Sequence, residues 1–293
     1  MVNDRPSPAG HDVGMSPQHE VATQVLDSDG ATTHSMLYLF SGPRRAGHGD
    51  MDECCREKTV KLEALDVIRD QSHDLLDDHR WSLVETRIKE GQYTSNLSSP
   101  PCCTFSPIRG KLNGPRPLRS MQHPYGLPDL TPDEKKQTRE GTACALRALT
   151  AAKLFNDKGL PFIVETSGKY DDVLNLFELP QYVDFLKNNP NVIIREVVQC
   201  FFQASSVKPS RLMTNINIDE VPSRCTHPKR WWRMPGTGEW ILAPHAPLIG
   251  KARAVAASEW KQWMWCHLDD GEGFVTRRAA LYTRPFNMYL LSN

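Results

Sequence analysis

Ser35-Met36-Leu37-Tyr38-Leu39-Phe40, halted at Ser41-Gly42-Pro43, is the stretch whose reading decides the fold. A short apolar run closed by a Ser-Gly-Pro turn reads as a buried strand ending in a turn. Similar units follow it. Thr59-Val60-Lys61-Leu62-Glu63-Ala64-Leu65 is a second strand, ending at Asp66, and residues 79–90 carry Trp81, Val84 and Ile88 on one helical face. Tyr93 to Leu97 is a weaker strand running into Ser98-Ser99-Pro100-Pro101-Cys102-Cys103. Thr131-Pro132-Asp133-Glu134 has the form of a helix start, with Thr131 as N-cap, Pro132 in the first turn and Glu134 closing a capping box. That helix continues to Lys158-Gly159, where glycine suits the stop. Pro161 to Glu165, Asn191 to Gln199 and Arg211 to Ile216 read as further strands, with a helix near 180–188. Strands alternating with helices imply an α/β fold: a parallel or mostly parallel sheet with helices on both faces.

The chain has 293 residues, enough for one large domain and a small one. Charged residues make up 24% and the formal net charge is zero, so any affinity for nucleic acid must come from a local patch. From Lys208 to Asn293 there are 12 Lys/Arg against 7 Asp/Glu, and six of the seven Trp lie between Trp231 and Trp265. Residues 1–33 are rich in Pro, Gly, Ser, Asp and His with no apolar period, the composition of a disordered lead-in. No run approaches the roughly 18 apolar residues of a membrane span, and the N-terminus lacks the apolar core of a secretory signal. These features imply an intracellular protein of nucleus or cytoplasm, not secreted and not bound to membranes, expected to be a monomer. Eight cysteines stand at 54, 55, 102, 103, 144, 200, 225 and 266, consistent with a reducing compartment. Cys225-Thr226-His227 could supply two zinc ligands, but no second pair at zinc-finger spacing accompanies it, so no metal is expected.

In open α/β sheets, ligands bind beyond the carboxyl ends of the strands. Three expected strand ends carry chemistry: Phe40-Ser41-Gly42, Pro100-Pro101-Cys102 and Glu165-Thr166. Their order, together with the Cys102-Cys103-Thr104-Phe105-Ser106 tail, resembles the DNA cytosine-5 methyltransferase family over roughly residues 36 to 216. The resemblance implies a Rossmann-like S-adenosylmethionine methyltransferase sheet with a small C-terminal recognition region. It divides the chain into a cofactor-binding and catalytic part (34–216), a target-recognition-like region (217–265) and a segment returning to the catalytic domain (266–293).

The resemblance also implies roles. Cys102 would be the nucleophile, Glu165 would hold the base, and Arg211 is carried over from the family's later arginine motif. Phe40, Ser41, Gly42 and Pro100 would border the S-adenosylmethionine site. Asp66 would take the ribose hydroxyls, with Glu63 in reserve, and Asp74 the adenine amine. The chemistry fits these residue types. A thiolate adding at carbon 6 of cytosine makes carbon 5 enamine-like and able to accept a methyl group, and an acid beside ring nitrogen 3 offsets the charge that develops. Because a duplex shields the target atom, the base must be flipped out. The Pro- and Gly-rich stretch 107–130 offers Arg109, Lys111, Arg116 and Arg119 to phosphates, and Arg230 beside Trp231 suits pairing with phosphates and stacking on bases. DNA is therefore the expected partner. The alternatives are a catalytically degenerate nucleic-acid-binding relative, or a methyltransferase for RNA or another pyrimidine. The family's Gly-x-Gly-Gly turn is here Gly42-Pro43-Arg44-Arg45, Ser99 replaces the usual Gly before Pro-Pro-Cys, and Thr166 replaces Asn.

Overall fold

The computed structural model describes residues 34–44, 49–106, 109, 115–169, 173–204, 206–218, 220–233, 238–245 and 282–292. Residues 1–33, and with them the expected disordered lead-in, lie outside the described residues. The decisive stretch forms β1 (Ser35–Leu39), with all five residues buried. Alternation sends Leu37 and Leu39 into one apolar cluster and Met36 and Tyr38 into another, so the strand is covered on both faces.

Around it run α1 (Met51–Glu57), β2 (Lys61–Leu65), α2 (Asp78–Lys89), β3 (Ser95–Ser98), α3 (Pro132–Asp157), β4 (Phe162–Ser167), α4 (Pro180–Asn188), β5 (Ile193–Val198) and β6 (Pro209–Thr214). The sheet order is β2-β1-β3-β4-β6-β5. β1, β2, β3 and β4 run parallel, and β6 lies antiparallel between β4 and β5. This is the Rossmann-like α/β sheet that the sequence implies, with one reversed strand that a period-two pattern cannot reveal.

Each face has its own helices. α2, α3 and α4 cover the side holding Leu37, Val164 and Met213, where Trp81, Val84 and Ile88 of α2 are buried. The long α3 starts on a complete capping box: Thr131 accepts from the Glu134 amide at 3.3 Å, and the Glu134 carboxylate accepts from the Thr131 amide at 2.9 Å. It ends before Gly159, whose φ of 66° is the left-handed conformation a helix stop requires. On the opposite face α1 packs against α5 (Arg284–Ser292), joined by an Arg284–Glu57 ion pair at 2.6 Å. Phe286 and Leu290 of α5 enter the second core. Among the described residues, β7 (Arg230–Arg233) and β8 (Trp240–Ala243) pair only with each other. Among the described residues no helix is long and apolar enough to cross a membrane.

Candidate active site

The strand order reverses between β1 and β3: from β1 the chain moves outward to β2, then returns to place β3 on the other side. A crevice at such a switch point is where open α/β sheets bind ligands. The turn after β1 and the loop after β3 flank this one, tied by the Ser99 amide donating to the Leu39 carbonyl at 3.0 Å.

On the β1 side, Phe40 takes a left-handed φ of 58° and Gly42 one of 70°. Asp66, the first residue after β2, accepts from the Gly42 amide at 2.9 Å and from the Ile68 amide at 2.9 Å. Among the described residues the Ser41 hydroxyl is buried without a partner, and the position of a Cβ on Gly42 meets nothing within 4 Å. Phe40, Ser41, Gly42 and Asp66 are thus brought together. Asp74 closes its own turn instead, accepting from the Leu76 amide at 2.8 Å. Glu63, the reserve, is held by Arg87 at 2.7 Å and by the Tyr93 hydroxyl at 2.5 Å. A cleft of about 460 Å³ opens along the outer edge strand beside Leu62, Arg69 and His73, but neither Asp66 nor Cys102 lines it.

On the β3 side, Pro100 is buried, Cys102 is half-buried and Cys103 is exposed. Glu165 stands on β4, the neighbouring parallel strand, and is 7% exposed. Its charge reaches Cys102. Burial first, then the Glu165 carboxylate, push the Cys102 thiol up to about 11, against a counter-pull from Lys208. A roughly 10⁻⁴ thiolate fraction at neutral pH follows from that value. This opposes the enhanced thiolate character expected of the nucleophile.

Two residues that sequence reasoning passed over complete the group. The Tyr282 hydroxyl donates its one proton to Glu165 Oε2 at 2.5 Å and stands 3.2 Å from Ser99 Oγ. Burial, and after it the Glu165 charge, hold the Tyr282 phenol well above its usual value, so it stays a donor. The Lys208 ammonium sits over the Tyr282 ring, 4.5 Å from its centre, and Lys208 itself has a φ of 30°. A non-glycine residue held in the left-handed region is strained, as functional sites often are. Topology explains the position of Lys208: because β6 is reversed, its entry lies at the edge where β3 and β4 exit. The sequence signal was present, since Lys208 opens the same Lys208-Pro209-Ser210-Arg211 motif from which Arg211 was taken.

Arg211 itself goes elsewhere. It pairs in register with Thr166, whereas Glu165 pairs with Leu212, so the Arg211 and Glu165 side chains leave opposite faces of the sheet. Its guanidinium donates to Asn175 Oδ1 at 3.2 Å, pairs with Glu196 at 3.5 Å and lies over Phe177.

The loop cations also need correction. Arg119 is 4% exposed, lies 4.1 Å from the Phe105 ring centre, and donates to Thr104 Oγ1 at 3.1 Å and to the Thr138 and Pro124 carbonyls at 2.7 and 2.6 Å. Burial lowers its pKa to about 10. It pins the Cys102 loop to α3 and is not offered to phosphates. Arg116 is bound by Asp129 and Glu134, each at 2.8 Å. Arg109 is half-buried, with its Nε on the Cys103 carbonyl at 2.7 Å and its Nη1 on the Arg116 carbonyl at 3.0 Å. Lys111 lies outside the described residues.

In the small sheet, Arg230 pairs with Ala243 and Trp231 with Leu242. Trp231 and Trp240 are 64% and 63% exposed and share a face with Arg233 and Leu242.

Fold and crevice define a Rossmann-like α/β protein whose chemical groups gather at the switch point. No family model matches the chain, and no curated protein matches it. Among solved structures it is similar to the crystal structure of the S. pombe Dnmt2 methyltransferase, with 12% identity and a TM-score of 0.35, over 64% of this chain and 52% of that one. The chain therefore spans about half the length of that structure. Likeness at this level carries nothing about substrate, and the function must be read from the side chains.

Proposed function

We propose that the chain transfers a methyl group from S-adenosylmethionine to carbon 5 of cytosine in DNA. The observation that carries this reading is the position of Cys102 in the loop after β3 and of Glu165 on β4, the strand paired in parallel with β3, near enough for the Glu165 charge to act on the Cys102 thiol. A sulfur nucleophile and a carboxylic acid are the pair needed to saturate carbon 6 of a pyrimidine while holding ring nitrogen 3.

The residues on the β1 side fit the cofactor. A buried, unpartnered Ser41 hydroxyl, open space above Gly42 and a carboxylate at the end of β2 suit a polar ligand with ribose hydroxyls. When bound, S-adenosylmethionine supplies an electrophilic methyl group. Every other role belongs to the chain. Pro100 and Pro101 restrict the backbone that aims Cys102. Lys208 favours the thiolate, and Tyr282 holds the Glu165 carboxylate in place until the base arrives. The face formed by Trp231, Arg233 and Trp240 offers rings for stacking and a cation for phosphate. The burial and the Glu165 charge that raise the Cys102 thiol work against the thiolate, which favours the binding-only alternative.

An oligonucleotide containing 5-fluorocytosine decides between them. Sulfur adds to carbon 6 and the methyl group adds to carbon 5. Release then needs a proton removed from carbon 5, which fluorine prevents. A denaturant-resistant adduct is expected, dependent on the cofactor and on Cys102, abolished in Cys102→Ala, retained in Cys103→Ala and much reduced in Glu165→Gln. An adduct with the RNA strand alone would move the substrate to RNA. Binding with no adduct on either strand would leave the binding-only relative.

A further inference from the structure

Cys200, Cys225, His227 and His245 bring one donor atom each into a cluster in which all four lie within 4.8 Å of one another. Sequence spacing shows only half of it, Cys225-Thr226-His227; the fold supplies Cys200 from the turn after β5 and His245 from just beyond β8. Zinc bound to thiolates at about 2.3 Å and imidazoles at about 2.0 Å holds tetrahedral donor atoms roughly 3.3–3.8 Å apart. Cys225 Sγ and His227 Nδ1 are already 3.4 Å apart, and the His227 and His245 rings meet edge-on with centres 4.9 Å apart. Small side-chain rotations close the remaining distance.

We propose that these four residues form a structural zinc site. Two thiolates and two imidazoles are a donor set that selects zinc over hard cations, and four protein ligands leave no open position for catalysis. The placement states the purpose. Cys225 and His227 precede β7 and His245 follows β8, so three ligands stand at the open end of the β7–β8 hairpin, and Cys200 roots it at the end of β5. An isolated two-stranded hairpin is marginal in water, and this one exposes Trp231, Trp240 and Leu242. Metal binding would supply folding energy that this hairpin's apolar contacts do not. The site stands whether or not the chain transfers methyl groups.

The test uses the full chain, purified with zinc and without chelator. About one zinc per chain is expected by elemental mass spectrometry, falling to background in Cys225→Ser and in His245→Ala, and unchanged in Cys103→Ser. Cobalt(II) added to stripped wild-type protein should give the visible bands of a tetrahedral thiolate site. This reading does not depend on any variant folding. Stripping should raise protease cleavage within 220–245 at least tenfold and shift the tryptophan emission, with the helical circular dichroism kept. Zinc undiminished in both ligand variants, absence of the tetrahedral cobalt spectrum, or a Cys200–Cys225 disulfide in the native protein would each overturn the proposal.

Discussion

The Tyr282 phenol donates to Glu165 Oε2 at 2.5 Å across 117 positions of sequence, from the residue pair that leads into the last helix to the fourth strand of the sheet. The same hydroxyl meets Ser99, which begins the Cys102 loop. The end of the described chain thus closes over the carboxylate assigned to the base.

A hydrogen bond to a charged, mostly buried acceptor contributes about 1.5–3 kcal/mol, and its loss leaves the acceptor short of a partner. A double-mutant cycle of Tyr282→Phe and Glu165→Gln, followed by urea unfolding, should show a coupling of about 1–3 kcal/mol. Additive effects would mean that the contact is not energetically linked. Tyr282→Phe should also speed capture of 5-fluorocytosine, because the phenol occupies an oxygen that the base would need.

Cys102 has a pH signature. Its thiol is pushed from about 9 to about 11 by burial and by Glu165, so peptide-resolved alkylation should keep rising between those values. Glu165→Gln removes a negative neighbour and should move the midpoint down, whereas Lys208→Met should move it up. A midpoint at or below 9 would refute the packing around Cys102. Stability follows the same sign. The neutral thiol is favoured by folding, so its contribution is present below pH 9 and is lost as pH rises through 11. Burial raises Cys55 and Cys144 to about 12, which extends that alkaline loss upward.

What the sequence made legible follows from how local each signal is. The α3 cap needed only Thr131 through Glu134, and the buried face of α2 only Trp81, Val84 and Ile88; both are present in the structure. The short α1 was passed over although Asp50 caps it and Glu53 accepts from the Gly49 amide, because only Met51, Cys54 and Cys55 mark its buried face. Strand direction is invisible to periodicity, which is why the reversal of β6 could not be read; Lys208 was marked in the sequence only as the opening residue of the motif that supplied Arg211. Arg119 misled for a related reason. In a Pro- and Gly-rich stretch a cation looks solvated, and only the tertiary fold shows Thr104 and the Thr138 carbonyl waiting for it.

The loop arginines and the hairpin arginines should therefore separate by assay. Arg119→Met leaves buried acceptors unsatisfied, at about 1–3 kcal/mol for each such group, so it should lower stability without flattening the salt dependence of DNA binding. Arg233→Gln should barely change stability, yet it should reduce the log–log salt slope by about 0.9 for a lost phosphate contact, whereas Arg230→Gln, on the opposite face of the hairpin from Trp231 and Arg233, should leave the slope unchanged. Reversed behaviour, with Arg119 setting the slope, would return the basic loop to the phosphate-binding role that its sequence suggests.

Lys208 and Arg211 give the sharpest contrast, because the motif that holds both is three positions apart at its ends and the sheet sends them to different places. Lys208 lowers the Cys102 pKa and covers the Tyr282 ring; Arg211 pairs with Glu196 and Asn175 on the other face. Each pKa unit added to Cys102 by removing the Lys208 charge cuts the thiolate population about tenfold below that pKa. Lys208→Met should therefore slow adduct formation at neutral pH and recover at alkaline pH, where the thiolate forms unaided. Lys208→Arg, which keeps the charge, should retain most of the rate. Arg211→Met should reduce thermal stability through its lost partners but leave the pH profile of the adduct unchanged. Measuring adduct rates for all three variants from neutral pH to pH 11 settles the assignment. If Arg211→Met shifts the profile and Lys208→Met does not, then Arg211 is the cation that serves Cys102, and the register placing it beside Thr166 does not describe the working site.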